Sequence, residues 1–290
     1  MYKPLWLAIR GFVCALALVG IVASNAAAAS WTSGPGGPGG DLPLTPAQQQ
    51  NVATKAALGR QEAAVPGSVV HASKAGPLCA APVGGSVAPL TGCGSAYGFV
   101  TTYTRKQLNS YYCGVATAQV ISNYFWNEGS GQDRYSQQWI SDNWTKTDAN
   151  GQTTAWYEAA GLQGATANSP RWTAGFTYYY KVEPNGSAFD ADVRLDVGYY
   201  NVPLTASVAP RDPGFPYWLV TWQNVTPVVA GHWITLTGWV SPWDGTENPT
   251  VNYDDSAIGT NGTAAYDPVY DVWQIVNHAN SQHAAGYVVY

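Results

Sequence analysis

The chain has 290 residues, a net charge of −5 and only 11% charged residues, against 46% hydrophobic ones that include 13 tryptophans and 19 tyrosines. An acidic balance without any Lys/Arg cluster argues against nucleic acid or an anionic membrane as the main partner. The length suits one compact domain with an appendage, and nothing repeats at a fixed period.

Met1 to Ser30 has the pattern of a secretory signal peptide. Lys3 and Arg10 form a positive start, Phe12 to Ala23 an apolar run, and Ala26 to Ala29 small-residue cleavage sites. A retained membrane anchor is the competing reading, but the run is shorter than the ~20 residues a spanning helix needs. The mature protein, residues 30–290, is therefore expected to be secreted, extracellular or wall-associated, with no membrane segment after cleavage; the Ala-rich leader looks bacterial.

Cys14 leaves with that leader, so three of the four cysteines remain. Cys79 and Cys93 bracket a loop rich in Gly, Pro, Ser and Ala and are expected to pair, a cross-link worth ~3 kcal/mol on the chain-entropy estimate. That leaves Cys113 unpaired, although its pairing with one of the other two stays open.

Residues 30–95 read as a flexible Gly/Pro/Ala-rich region. Trp31 to Gly40 contains Gly-Pro-Gly-Gly-Pro-Gly-Gly, a linker composition. Thr45-Pro46-Ala47-Gln48 then carries a capping box with proline at the first helical position, so a helix is expected to about Ala64. This segment is either an inhibitory pro-segment lying over the active site or a plain spacer.

From residue 96 onward a mixed α and β domain is expected. Tyr97 to Tyr103 reads as a strand leading to Gln107. After Cys113, Val115, Ala118, Ile121 and Phe125 recur at spacings of three and four, which predicts a core-facing helix. A cysteine at a helix start meets unpaired N–H groups and a partial positive charge, which favour thiolate over thiol. Asp142 to Pro203 reads as irregular and Trp/Tyr-rich, with a strand at Trp172 to Tyr180.

Gly231-His232 opens a strand expected over Trp233 to Val240; the turn-rich Ser241 to Pro249 separates it from a partner strand at Thr250 to Tyr253. If that hairpin centres near Trp243 or Asp244, His232 faces Asp255, whose carboxylate would orient the imidazole toward a thiol. Asp254 is the alternative, since a one-residue slip exchanges the two faces.

Gln107, Cys113-Gly114-Val115-Ala116, Gly231-His232-Trp233 and Asp255-Ser256-Ala257 together resemble the bacteriocin-processing cysteine peptidases, peptidase family thirty-nine, over about Tyr97 to Tyr290. Val115 stands where that family usually has proline, and the membrane and ATPase segments of its transporter-linked members have no counterpart here. The resemblance implies an α+β papain-like fold, with the helix bearing Cys113 packed on an antiparallel sheet bearing His232. It further implies a secreted peptidase acting on a peptide or protein through a Cys113-His232-Asp255 triad, with Gln107 in the oxyanion hole and no cofactor or metal.

Other functions fit parts of the pattern. The same dyad would serve a cysteine amidase cutting cell-wall peptide, and the tryptophans would suit a non-catalytic wall-polysaccharide-binding module. His278 and His283, with Asn277 and Asn280, lack carboxylate or cysteine at ligand spacing.

Overall fold

The computed structural model describes residues 44–63, 97–147, 153–172, 176–228, 230–240, 249–283 and 286–290. The expected leader with Cys14, the Gly/Pro linker, the Cys79–Cys93 pair and most of the Ser241–Pro249 turn lie outside the described residues. Among the described residues, no helix is long and apolar enough to cross a membrane.

The chain is α+β. Helix α1 spans Pro46–Ala63, strand β1 Tyr97–Phe99, α2 Cys113–Phe125, α3 Gln137–Ile140 and α4 Ala155–Thr166. Then come β2 Tyr180–Val182, α5 Gly186–Val193, β3 Leu204–Val208, β4 His232–Val240 and β5 Thr250–Asp255. The chain ends with β6 Thr263–Pro268, α6 Val269–His283 and β7 Tyr287–Val289. All strand pairs are antiparallel. The sheet order is β2-β7-β3-β4-β5-β6, with β1 paired to β4 as well. Strand β4 is the axis: β3 covers one edge of its first half, β1 the same edge near its end, and β5 the other edge.

Helix α2 follows from its sequence but is buried more deeply than one apolar stripe requires. All thirteen of its residues are buried, polar Gln119, Ser122 and Asn123 included. It packs on α4 and on β4. Gln119 donates to the Tyr135 carbonyl and Asn123 to Asp133, so these two buried side chains are satisfied by the segment leading to α3 rather than by water.

Several expected boundaries change. The Tyr97 strand stops at Phe99, and an irregular stretch carries the chain to Gln107. The strand expected at Trp172 to Tyr180 starts only at Tyr180, where β7 is available to pair; Tyr179 exchanges backbone hydrogen bonds with Tyr290 just before it. The supposedly irregular Asp142–Pro203 section holds α4 and α5, each opened by a local cap: Thr154 accepts from the Tyr157 N–H and Asn185 from the Ala188 N–H. His232 belongs to its strand rather than preceding it, and β5 runs to Asp255.

Helix α1 starts with the expected capping box, Thr45 N–H donating to Gln48 Oε1 and Gln48 N–H to Thr45 Oγ1. Its contacts lie with α5 and the far end of α4 rather than with Cys113. It packs on α5, with Gln48 reaching Gln163 late in α4 and Asn51 reaching Thr177. Lys55 is buried between Asp196, 2.6 Å away, and the rings of Phe176 and Tyr290. This is the pole of the domain near the C-terminal halves of α2 and α4, because Phe125 and Tyr178 lie in the same ring cluster.

Candidate active site

Three elements bring the site together: the first turn of α2, the first residue of β4 and the last residue of β5. Cys113, the one free cysteine among the described residues, is buried at the start of α2. Its close packing depends on glycine at the next position, because a Cβ on Gly114 would lie 2.6 Å from the side chain of Thr153.

His232 meets Asp255 directly, with Nε2 2.9 Å from Oδ1. The pair is not directly opposed across the hairpin, as a loop centred at Trp243 or Asp244 would have it. Thr235 pairs with Asp254 and Leu236 with Tyr253, and the register shifts between Leu236 and Gly238, so one residue, Thr237, is extra on β4. Asp255 therefore continues the ladder beside Ile234 and reaches His232 diagonally on the same face. Asp254 takes the other face and accepts from Thr102 Oγ1 at 2.6 Å. Burial pushes its carboxyl up to about 6 despite that bond.

Asp255 is fully buried and accepts four hydrogen bonds. Oδ1 takes His232 and the Ala257 N–H at 2.9 Å each; Oδ2 takes Thr221 Oγ1 at 2.7 Å and Trp222 Nε1 at 2.8 Å. That fills the roughly four acceptor positions of a carboxylate. Burial would raise its pKa, but the imidazole charge, followed by these bonds, holds it at about 2. The Trp222 ring also packs against His232, 5.5 Å between centroids.

The electrostatics of histidine and cysteine follow. Burial opposes charge on His232, but Asp255 first and the Cys113 sulfur second outweigh it and push the imidazole up to about 10. With Nε2 committed to the carboxylate, Nδ1 is the nitrogen that meets the thiol. Burial would raise the Cys113 pKa; the hydrogen bond and charge of His232, with the Trp233 and Gly114 N–H groups, reverse this and lower it. Both shifts point the same way, toward negative charge on Cys113 and positive charge on His232 beside the sealed carboxylate of Asp255.

Gln107 lies on the loop before α2 and is tied to the acid's side of the site. Its N–H donates to the Ser256 carbonyl, its Oε1 accepts from Ser256 Oγ at 3.1 Å, and its Nε2 donates to the Asn109 carbonyl at 2.9 Å. The amide is thus oriented by the residue next to Asp255, and among the described residues its second hydrogen has no acceptor.

Sequence reasoning missed Thr221, Trp222 and Glu158. The first two sit on a short turn pinned by the Val220 N–H to Asp267 Oδ2, which has no local motif. Glu158 lies fully buried beneath the first turns of α2, against Thr117. The remaining histidine with a described side chain, His278, is stacked flat on Phe215 and bonded to Asp212 at 2.8 Å, away from this constellation. Among the described residues, no three His, Cys, Asp or Glu side chains are grouped as a metal site. In comparison with known proteins, no protein-family model matches the chain, and no curated protein matches it.

Proposed function

We propose that the chain is a secreted cysteine peptidase of papain-like type that hydrolyses peptide bonds through Cys113, His232 and Asp255. The observation that carries this is the single line of contacts from a buried, acid-shifted thiol through an imidazole to a fully hydrogen-bonded carboxylate. The convergence of three residues spread over more than 140 positions of sequence supports a role in acyl transfer.

The Cys113 thiolate attacks the substrate carbonyl carbon, forming the C–S bond and placing charge on the carbonyl oxygen. The Cys113 N–H, an unpaired donor of the first helical turn, and the remaining Gln107 amide hydrogen stabilise that oxyanion; one such donor contributes about 3 kcal/mol in related sites. The His232 imidazolium then gives its Nδ1 proton to the leaving amine as the C–N bond breaks. Neutral His232 next takes a proton from water, which attacks the thioester, and the thiolate leaves with the acid product. Asp255 fixes the imidazole orientation and stabilises its charge throughout; no cofactor or metal enters.

A peptide-library digest tests the proposal. Wild-type chain cleaves, whereas Cys113→Ala and His232→Ala do not. Cleavage that survives Cys113→Ala refutes the mechanism. Cleavage confined to wall-derived peptide amides would identify an amidase using the same dyad.

A further inference from the structure

Behind the nucleophile stands an ionisable group that the steps above do not use. Glu158 on α4 has no exposed surface. Its Oε1 lies 3.1 Å from Thr117 Oγ1, and among the described residues its Oε2 is buried without a partner. Thr117 is one turn beyond Cys113 on α2, and its hydroxyl also lies 2.8 Å from the Gly114 carbonyl oxygen.

A hydroxyl has one hydrogen to give. The Gly114 carbonyl can only accept, so Thr117 donates there, and its contact with Glu158 is then a hydrogen bond only if the carboxyl carries the proton. The opposite assignment leaves a carboxylate in the interior with one oxygen bare, a far costlier arrangement than a neutral acid in the same place. Burial, with the nearby Cys113 charge, drives the Glu158 pKa well above the usual carboxylate range, and even a Thr117 hydrogen given to the carboxylate would oppose this only in part.

The titratable groups that act on or feel Glu158 are the Cys113 thiol on α2 and the Tyr178 phenol. From the other elements packed on α4, Asp142 is exposed and bonded to Gln138, Lys181 of β2 is paired with Asp192 and Glu183, and Tyr287 of β7 packs on Tyr180. Helix α4 matters to both halves of the dyad. Thr153, just before it, meets Gly114, and the Thr153 carbonyl accepts from the Trp233 indole at 3.0 Å, next to His232.

We propose that Glu158 is a positioning residue that works as a neutral acid. It donates to Thr117, ties the first turn of α2 to α4, and so holds Cys113 in line with His232 without placing a second negative charge behind the thiolate. This inference rests on the assignment of Cys113 as nucleophile.

Two measurements on the full chain test it. Infrared spectra with labelled glutamate, wild type minus Glu158→Gln, should show a protonated carboxyl band at neutral pH; a carboxylate band overturns the proposal. Iodoacetamide alkylation of Cys113 across pH should be unchanged in Glu158→Gln, which keeps a neutral donor. In Glu158→Ala it should fall about tenfold at neutral pH, through loss of the alignment of Cys113 with His232.

A role in packing alone would lower stability in Glu158→Ala and leave alkylation at the wild-type rate, which refutes the positioning role. A tenfold loss in Glu158→Gln, or its failure to fold, refutes it as well. Should Glu158→Ala not fold, Thr117→Val must show the same loss. An inert wild-type thiol sinks the peptidase assignment and this role together. A reactive thiol beside an ionised Glu158 sinks this role alone.

Discussion

Replacing Asp255 by asparagine separates charge from shape at the centre of the site. At 1.36 kcal/mol per pKa unit, the rise of His232 from 6.5 to about 10 is a preference of about 5 kcal/mol for the imidazolium, and Asp255 is its largest source. Without that carboxylate, burial becomes the leading influence, and His232 should titrate at or below its ordinary value. The thiol, whose lowering comes chiefly from charged His232, should rise with it. The amide also cannot accept at both ends. Its NH2 must face either the Ala257 N–H or the Trp222 indole N–H, so one donor loses its acceptor at a cost of about 1–3 kcal/mol. Iodoacetamide alkylation followed from pH 4 to 10, with urea unfolding alongside, reads both effects. We expect at least a tenfold slower reaction at neutral pH, a midpoint displaced upward, and a lower unfolding midpoint. A wild-type alkylation profile in a folded Asp255→Asn would refute the argument that Asp255 sets the charge state of the pair.

Other outcomes follow from the same contacts. Because His232 titrates at about 10 folded against 6.5 unfolded, its stabilisation is fully present below 6.5 and lost as pH rises through about 10. In Cys113→Ala, which removes the opposing contribution of the lowered thiol, the urea midpoint should fall over that window, and adding His232→Gln should flatten the fall. Asp255 has the opposite sign: its contribution is present above 3.8 and lost as pH falls through about 2. Lys55→Met should cost about 3–5 kcal/mol at pH 8 by leaving Asp196 unpaired. The cost should shrink at pH 5, because Asp196 already sits at about 7 and takes a proton. Cys113 alkylation should be unaffected; slower alkylation would show that α1 acts on the site. Gly114→Ala, which propensity alone would favour by about 1 kcal/mol, should instead lower stability by about 1–3 kcal/mol, since the new Cβ meets Thr153. An unfolding midpoint above wild type would contradict that packing.

The parts of this protein legible in its sequence are those governed by near neighbours. The capping box of α1, the three-and-four spacing after Cys113, and the alternation after His232 each specify their element through contacts within a few residues. They also single out cysteine, histidine and an acidic pair. Tertiary structure decided what depends on pairing at a distance. The extra residue at Thr237 shifts the β4–β5 register, so Asp255 reaches His232 diagonally while Asp254 turns to Thr102. Trp222 and Thr221 meet Asp255 only because Asp267 pins their turn, and Glu158 stands behind Cys113 only because α4 packs on α2. Lys55 likewise reads as a surface residue of an Ala/Gln-rich helix until Asp196 and three aromatic rings enclose it. Local periodicity records which face of an element is apolar; it carries no record of which distant polar group will meet that face, and the chemistry of this site is built from such meetings.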